Sequence, residues 1–206
     1  MTKDDTKQKI QPLIEKIMAA NAAKGPHGGG GMLKEEYEYI SDLVLRRSPC
    51  NILIFGTGND SELWILANQD GRTVFLENQQ RWIDVAKGNF PNIEFYHITY
   101  LKKEAQLSLL ELYKHGQPGI ALPMPEEIAN VAWDIIIVDG PAGPRMQSIG
   151  TSSELARNSA NVDVIFHDAS REKPYIDQFY SEAELLRPYK RMKHYRVNTT
   201  SLSSQS

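Results

Sequence analysis

A doubly wound, mostly parallel α/β sheet is the fold class this sequence predicts, and three observations predict it. Short apolar runs recur along most of the chain, amphipathic helical stretches separate them, and glycines or acids stand where the runs end. Alternation of this kind implies parallel strands joined by right-handed helical crossovers.

The elements follow in order. Ile10, Leu13, Ile14, Ile17 and Met18 recur at helical spacing and predict a first amphipathic helix. Gly25-Pro26-His27-Gly28-Gly29-Gly30-Gly31 suits neither helix nor strand, and is a plain linker or a mobile flap near a site. A second helix carries Leu33, Tyr37, Ile40 and Val44 on one face and ends at Ser48-Pro49. The strands then predicted are 52–55, 73–76, 93–96, 135–138 and 162–166. The first is a continuous apolar run, as expected for a central parallel strand, and 135–138 is the most hydrophobic. Helices are expected near 61–69, 79–89, 101–115 and 146–158. Another, carrying Tyr175, Ile176, Phe179, Tyr180, Ala183 and Leu186, is expected after the fifth strand. The segment 116–132, with Pro118, Pro123 and Pro125, reads as an irregular surface run, and 192–197 as a last strand. The chain accordingly divides into N-terminal helices with a glycine-rich segment acting as a cap (1–48), a main domain (49–197) and a disordered tail (198–206).

Composition narrows the function classes. The 206 residues are 41% hydrophobic and 24% charged, with a formal net charge of −3, ordinary values for one globular domain. A pI near 6.0 gives no general reason to bind nucleic acid or an anionic membrane, so neither partner is expected. Arg187, Lys190, Arg191, Lys193 and Arg196 cluster near the C-terminus and read as a solvated strand edge. Cys50 is the single cysteine and reads as a small core residue. No apolar stretch approaches a membrane span and no signal-peptide core follows the N-terminal charges, so the expected location is the cytoplasm.

In an open parallel sheet, ligands bind where strands end at their carboxyl edge. The first strand ends in Phe55-Gly56-Thr57-Gly58-Asn59-Asp60-Ser61, where glycines allow a sharp turn and close approach of a ligand. A dinucleotide loop calls for a third glycine at the position of Ser61, to seat a pyrophosphate on the helix N-terminus. Asp60 beside it suits the cationic amino-acid end of S-adenosylmethionine better, although Asp60 or Ser61 also serves as a helix cap. Glu77 ends the second strand, 21 residues after Gly56. It is placed to accept both hydroxyls of a ribose, or with Asn78 to cap the next helix. Past the third strand, His97 and Tyr100 stand where such sheets contact adenine, and Tyr100 stacks on the base or merely packs.

The fourth and fifth strands end in Val138-Asp139-Gly140-Pro141 and Phe166-His167-Asp168. Neighbouring strand ends bring these acids and the imidazole together. Asp139 and Asp168 then either ligate a divalent metal, or His167 or Asp168 acts as general base toward an acceptor hydroxyl. The bland alternative is that each aspartate caps the loop or helix after it.

Taken in order, these motifs resemble the plant glucuronoxylan 4-O-methyltransferase family, the polysaccharide-biosynthesis domain of irregular-xylem type. The residues that carry the resemblance begin with Pro49-Cys50-Asn51, the Phe55–Ser61 loop and Trp64. They continue through Phe75-Leu76-Glu77, Trp82, His97, Tyr100, Pro125-Glu126-Glu127, Trp133-Asp134 and Val138–Pro141. Arg145-Met146, Ala156-Arg157-Asn158, Phe166-His167-Asp168 and Arg171 complete it, so that it spans roughly residues 32–181. The resemblance implies a Rossmann-like methyltransferase fold and methyl transfer from S-adenosylmethionine to a hydroxyl of a sugar, uronic acid or other small polar acceptor. Carried over by position, Phe55, Gly56, Gly58, Asn59, Asp60, Ser61, Glu77, Asn78, Tyr100 and Asp139 bind cofactor. Asp139, His167 and Asp168 line the reacting centre, with Asp139 and Asp168 holding any metal. Arg145 and Arg171 pair with an acceptor carboxylate, as guanidinium groups do well. The glycine segment is this chain's own, and as a flap its Gly30 and Gly31, with Met32, are expected to border the acceptor. The plant enzymes resemble this chain as Golgi-tethered domains. Without their anchor and lumenal cysteines, it is expected to be a soluble microbial relative or a bare catalytic domain.

Three rivals share parts of the pattern. A nicotinamide-dependent oxidoreductase shares the strand-one loop and strand-two acid, but Ser61 and the absence of a Tyr-x-x-x-Lys pair speak against it. A non-catalytic nucleotide-binding protein has no need of the Asp139, His167 and Asp168 group. An N-methyltransferase differs only in its acceptor, and the sequence does not separate it from O-methylation, nor does it give the oligomeric state.

Overall fold

The computed structural model describes residues 2–24, 31–114, 121–140, 145–189 and 191–198. Two helices lead, α1 (Lys3–Ala23) and α2 (Lys34–Arg47). Alternation follows: β1 (Asn51–Phe55), α3 (Ser61–Ala67), β2 (Arg72–Glu77), α4 (Gln80–Asn89), β3 (Glu94–His97) and α5 (Lys103–Lys114). The second half holds α6 (Glu126–Ala129), β4 (Ile135–Val138), α7 (Arg145–Ala156), β5 (Asn161–His167), α8 (Lys173–Phe179), β6 (Glu184–Pro188) and β7 (Met192–Asn198).

The seven strands form one sheet in the order β3-β2-β1-β4-β5-β7-β6. The first five are parallel, and β7 runs antiparallel to both β5 and β6. The strand order reverses at β1 and β4, whose carboxyl ends Phe55 and Val138 are paired in register. A crevice at such a switch point is where this architecture binds ligands.

Period-two alternation divides each central strand between two cores. Ile52, Ile54, Ile135 and Ile137 pack with Ile10, Ile14 and Ile17 of α1, Ile40 and Val44 of α2, and Leu63 and Trp64 of α3. Leu53, Phe55, Ile136 and Val138 pack on the other face with Leu110 of α5, Ile128 of α6, Ile149 of α7 and Ile176 of α8. The first two helices are thus part of the sheet's own core.

Three expectations need correction. The helix expected through Leu186 stops at Phe179, because residues 184–188 pair with β7 and form the sheet edge. Backbone pairing overrides a local apolar pattern that suits helix. The irregular run contains one turn of helix, α6, whose buried Ile128 packs under the sheet, and Leu122 N–H donates to Thr151 Oγ1 at 2.8 Å. Asn198, expected in the tail, ends β7, and 199–206 lie outside the described residues.

At the amino edge of the sheet, fully buried Asp163 is surrounded by cations. It accepts from His194 Nε2 at 2.8 Å and from Arg196 Nη2 at 2.8 Å and Nε at 3.1 Å, and pairs with Arg47 at the end of α2. Burial alone raises this carboxyl, but the bonds from His194, Arg47 and Arg196 bring it down to about 2. His194, which carries no signal in sequence, is therefore a structural group; its Nδ1 lies 2.7 Å from the Tyr39 hydroxyl.

Candidate active site

The site is assembled from four strand ends. After β1 the chain turns through Gly56 at φ +101°, a left-handed conformation favouring glycine. A side chain there would also press within 3.1 Å of the Asp139 carbonyl and 3.2 Å of the Gly140 Cα. Gly56 N–H donates to Leu76 O at 2.7 Å, and Asp139 N–H donates to Phe55 O at 3.2 Å. Phe55 contributes its backbone here, for its ring lies in the core. Gly58 N–H then donates to Ser61 Oγ at 3.0 Å, closing a tight turn into α3.

Asp60 precedes α3 without capping it through its side chain. Its carboxyl is pushed well up from the usual range, first by burial and then by the negative charge of Asp139. The hydroxyl of Tyr37, buried in α2, is raised by burial and by the same two acids. This corner therefore holds two acids that repel one another, an arrangement that a ligand cation relieves. Asn59 Nδ2 donates to Asn21 Oδ1 at 3.3 Å, tying the loop to the end of α1.

After β2, buried Glu77 braces the β1 loop. Its Oε2 accepts from Thr57 N–H and Thr57 Oγ1, both at 3.0 Å, and its Oε1 accepts from Gln79 N–H at 2.7 Å. Each oxygen keeps acceptor capacity for a ligand hydroxyl. Beside Glu77, Asn78 and the β3–α5 loop line a cavity of about 510 Å³ with His97, Tyr100, Leu101 and Gln106. The Tyr100 hydroxyl lies 2.8 Å from Ser148 Oγ of α7, and burial pushes it up to about 12. A second cavity of about 370 Å³ opens on the other side of the glycine loop, lined by Thr57, Gly58, Asn59, Ser61, Trp82 and Lys24.

After β4 and β5, the registered strand ends bring Asp139 and His167 into contact. His167 Nδ1 is 2.7 Å from Asp139 Oδ1. The imidazole is 1% exposed, and its Nε2 has no hydrogen-bond partner. Burial pulls its pKa down, but the Asp139 hydrogen bond and the charges of Asp139 and Asp168 outweigh it and leave the imidazole raised. Asp168 sits at φ +53°, unusual for a residue with a side chain. It accepts from Arg191 Nη2 at 2.6 Å and Nε at 3.1 Å, with Arg145 Nη1 at 3.4 Å. Its carboxyl is raised by burial and lowered more by Arg191, His167 and Arg145, so the net direction is down.

The residues expected to touch an acceptor are scattered. Arg145 is buried, donating to Gly140 O at 3.1 Å and His167 O at 3.0 Å, so it clamps the β4 and β5 ends together. Arg171 is exposed, and its backbone N–H closes a turn on Asp168 O at 3.1 Å. Gly31 O accepts from Arg191 Nη1 at 3.1 Å, Met32 is buried in the core of α1 and α2, and Gly30 lies outside the described residues. Arg191, Tyr37, Gln106, Gln147 and Ser148 are site-forming residues without a sequence signal. Each acts across a long separation or looks like ordinary helix or strand.

The expected divalent metal does not fit this donor set. Asp168 is already matched by two guanidinium groups, and His167 presents Nδ1 to Asp139 while its Nε2 stands 3.9 Å from Asp168. No cluster of three His, Cys, Asp or Glu side chains suited to a metal occurs among the described residues.

The chain is similar to several known proteins. A relative named glucuronoxylan 4-O-methyltransferase 1, from Arabidopsis thaliana, is 38% identical over 77% of this chain and 63% of its own length. Arabinogalactan O-methyltransferase 2 of the same plant is 30% identical over 83% of this chain and 69% of its own. The chain spans less than two thirds of the length of the glucuronoxylan relatives it matches, 63% and 62% for two of them. Two solved structures share the fold at low identity. The Podospora anserina methyltransferase PaMTH1, bound to S-adenosylhomocysteine, aligns with a TM-score of 0.53 and 12% identity over 89% of this chain and 86% of its own. TomG, an O-methyltransferase of Streptomyces achromogenes in complex with S-adenosylmethionine, gives 0.53 and 14% over 89% and 87%. The sheet is thus the Rossmann-like methyltransferase fold. The IRX15/IRX15L/GXM family model matches residues 35–122 and 119–198, taking in every strand described above, and the chain belongs to that family.

Proposed function

We propose that the chain binds S-adenosylmethionine and methylates a hydroxyl of a saccharide or uronic-acid acceptor. The observation that carries the proposal is the Asp139–His167 pair, with a buried imidazole nitrogen unpartnered at the end of β5, next to the switch point of the sheet. Family membership supports it, since the relatives above are named for methylating glucuronoxylan and arabinogalactan.

The residues fit the cofactor. Glu77 keeps acceptor capacity for ribose hydroxyls, and the Asp60–Asp139 corner favours a cationic ammonium. When bound, S-adenosylmethionine supplies an electrophilic methyl group on a sulfonium. With the methyl–sulfur bond breaking and S-adenosylhomocysteine leaving, His167 Nε2 would take the proton that the acceptor hydroxyl gives up. Asp139 holds the ring by Nδ1 and stabilises the imidazolium that results. Arg145 and Arg191 fix Asp168 as a second negative charge beside that imidazolium. Besides packing on the sheet, the described part of residues 1–48 borders the site as a cap, through Asn21 of α1 on Asn59 and Gly31 on Arg191. Single, buried Cys50 suits a reducing, cytoplasmic setting, and the net charge of −3 suits a polar small-molecule or saccharide partner rather than nucleic acid. No described helix is long and apolar enough to cross a membrane.

Calorimetric titration with S-adenosylhomocysteine and, separately, NADH tests the cofactor. Micromolar binding of the first, lost in Glu77→Ala, is expected; preference for NADH would overturn the proposal.

A further inference from the structure

Of the chain's three tryptophans, Trp64 and Trp133 are each 1% exposed, whereas Trp82 of α4 is 45% exposed. Val85, one turn further along the same helix, is 55% exposed. The exposed residues beside them, Arg81, Asp84 and Lys87, are charged, as a solvated helix face should be. A single apolar side chain in water needs no explanation, but these two wall the cavity of about 370 Å³ beside the glycine loop.

The chemistry of that cavity is specific. The Arg81 guanidinium lies over the Trp82 ring, 5.4 Å from its centroid, and donates through Nε to Gln79 Oε1 at 3.1 Å, so the indole is braced. Asn59 from the loop and Asn89 from α4 add amides, which both donate and accept. The charged residues described in the lining are Lys24 and Glu62, and Glu62 is matched by Lys16 at 3.3 Å. An aromatic ring beside neutral hydrogen-bonding groups suits a ligand with apolar faces and a rim of hydroxyls. A neutral pyranose is such a ligand: its C–H hydrogens lie against the electron-rich ring face while its hydroxyls reach the amides.

We infer that the groove is a second saccharide subsite, in which Trp82 stacks on a neutral sugar unit of the acceptor chain, away from the unit that is methylated. The inference rests on the saccharide reading proposed above. The glycine loop stands between the two places, since Gly58 lines the groove and Gly56 lies against Asp139. A glycan of several units fills both at once and gains affinity by doing so, whereas a free uronic acid fills one. The acceptor is accordingly a polymer.

Tryptophan fluorescence of the full chain, at saturating S-adenosylhomocysteine, tests this, because Trp82 is the tryptophan that a dissolved quencher reaches. Unsubstituted xylohexaose and galactohexaose, which carry no carboxylate, are the probes. Binding of either glycan, with protection of the emission from acrylamide, is expected. Trp82→Ala is expected to weaken that glycan about 10-fold by calorimetry, and Trp82→Phe to recover most of the loss. Affinity for S-adenosylhomocysteine should stay within about 2-fold in both variants, which shows that they fold. A native protein that binds S-adenosylhomocysteine but neither glycan overturns this inference and leaves the methyl-transfer proposal standing. Unchanged glycan affinity in Trp82→Ala does the same. Failure of the native protein to bind S-adenosylhomocysteine overturns the proposed function, and this inference with it.

Discussion

His167 Nδ1 lies 2.7 Å from Asp139 Oδ1, while Nε2 of the same buried ring has no partner. The two residues end neighbouring strands, and the register that pairs Val138 with Phe166 sets them side by side. A buried ring held by one nitrogen and unpartnered at the other is the arrangement of an oriented base.

Replacing His167 by Gln is therefore expected to lower kcat by about 10²–10⁴-fold. Affinity for S-adenosylhomocysteine should change far less, since the ring is assigned to the acceptor's proton. Steady-state kinetics beside calorimetry separate the two effects.

The raised imidazole gives a sign for pH dependence. A base must be unprotonated, so kcat is expected to rise with pH through a midpoint above the ordinary histidine value. Asp139→Asn removes the bond that raises it, so the midpoint should fall along with the rate. A midpoint unmoved in Asp139→Asn would argue that another group titrates.

Asp60 makes an independent prediction about stability. Its folded-state pKa lies above its unfolded value, so the ligand-free protein loses stability as pH rises from the ordinary carboxyl range through the raised one. Asp60→Asn should raise Tm at pH 8 and change little at pH 4, each kcal/mol moving Tm by about 2–4 °C. The same variant should bind S-adenosylhomocysteine more weakly at pH 8. Calorimetric melts at the two pH values check the first outcome, and titration checks the second.

The Asp163 cluster predicts the opposite trend. Its pKa is depressed to about 2, so its contribution is present above the ordinary carboxyl range and is lost as pH falls toward 2. Asp163→Asn strands Arg47 and Arg196 and should cost about 3–5 kcal/mol at neutral pH. Urea unfolding measures it, and kcat of the folded variant should stay within about 3-fold of native.

Much of this architecture was legible because its signals are local. The run 52–55 ends in Gly56, where the structure has a left-handed turn against Asp139, and 135–138 ends in the acid that meets His167. What was illegible depends on partners far away in sequence. Ala183 and Leu186 continue a helical pattern, yet residues 184–188 pair with a strand that the chain supplies only afterwards. Arg191 looks like one member of a solvated basic edge, but the turn after β5 brings Asp168 to it across 23 residues. That contact also removes the expected metal, since sequence alone showed two acids at adjacent strand ends and not the two arginines that pair with Asp168. Gln106 was silent because a glutamine in an amphipathic helix is ordinary until its amide is found buried and half satisfied.

Incubation with S-adenosylmethionine carrying a trideuterated methyl group, and with glucuronic-acid-bearing xylo-oligosaccharides and arabinogalactan oligosaccharides, tests the central claim most directly. Mass spectrometry of the products is expected to show one labelled methyl ether per modified sugar, absent with His167→Gln. Tight binding of the cofactor with no labelled saccharide would contradict the assignment of a sugar hydroxyl as acceptor, and full labelling by His167→Gln would contradict the assignment of the base.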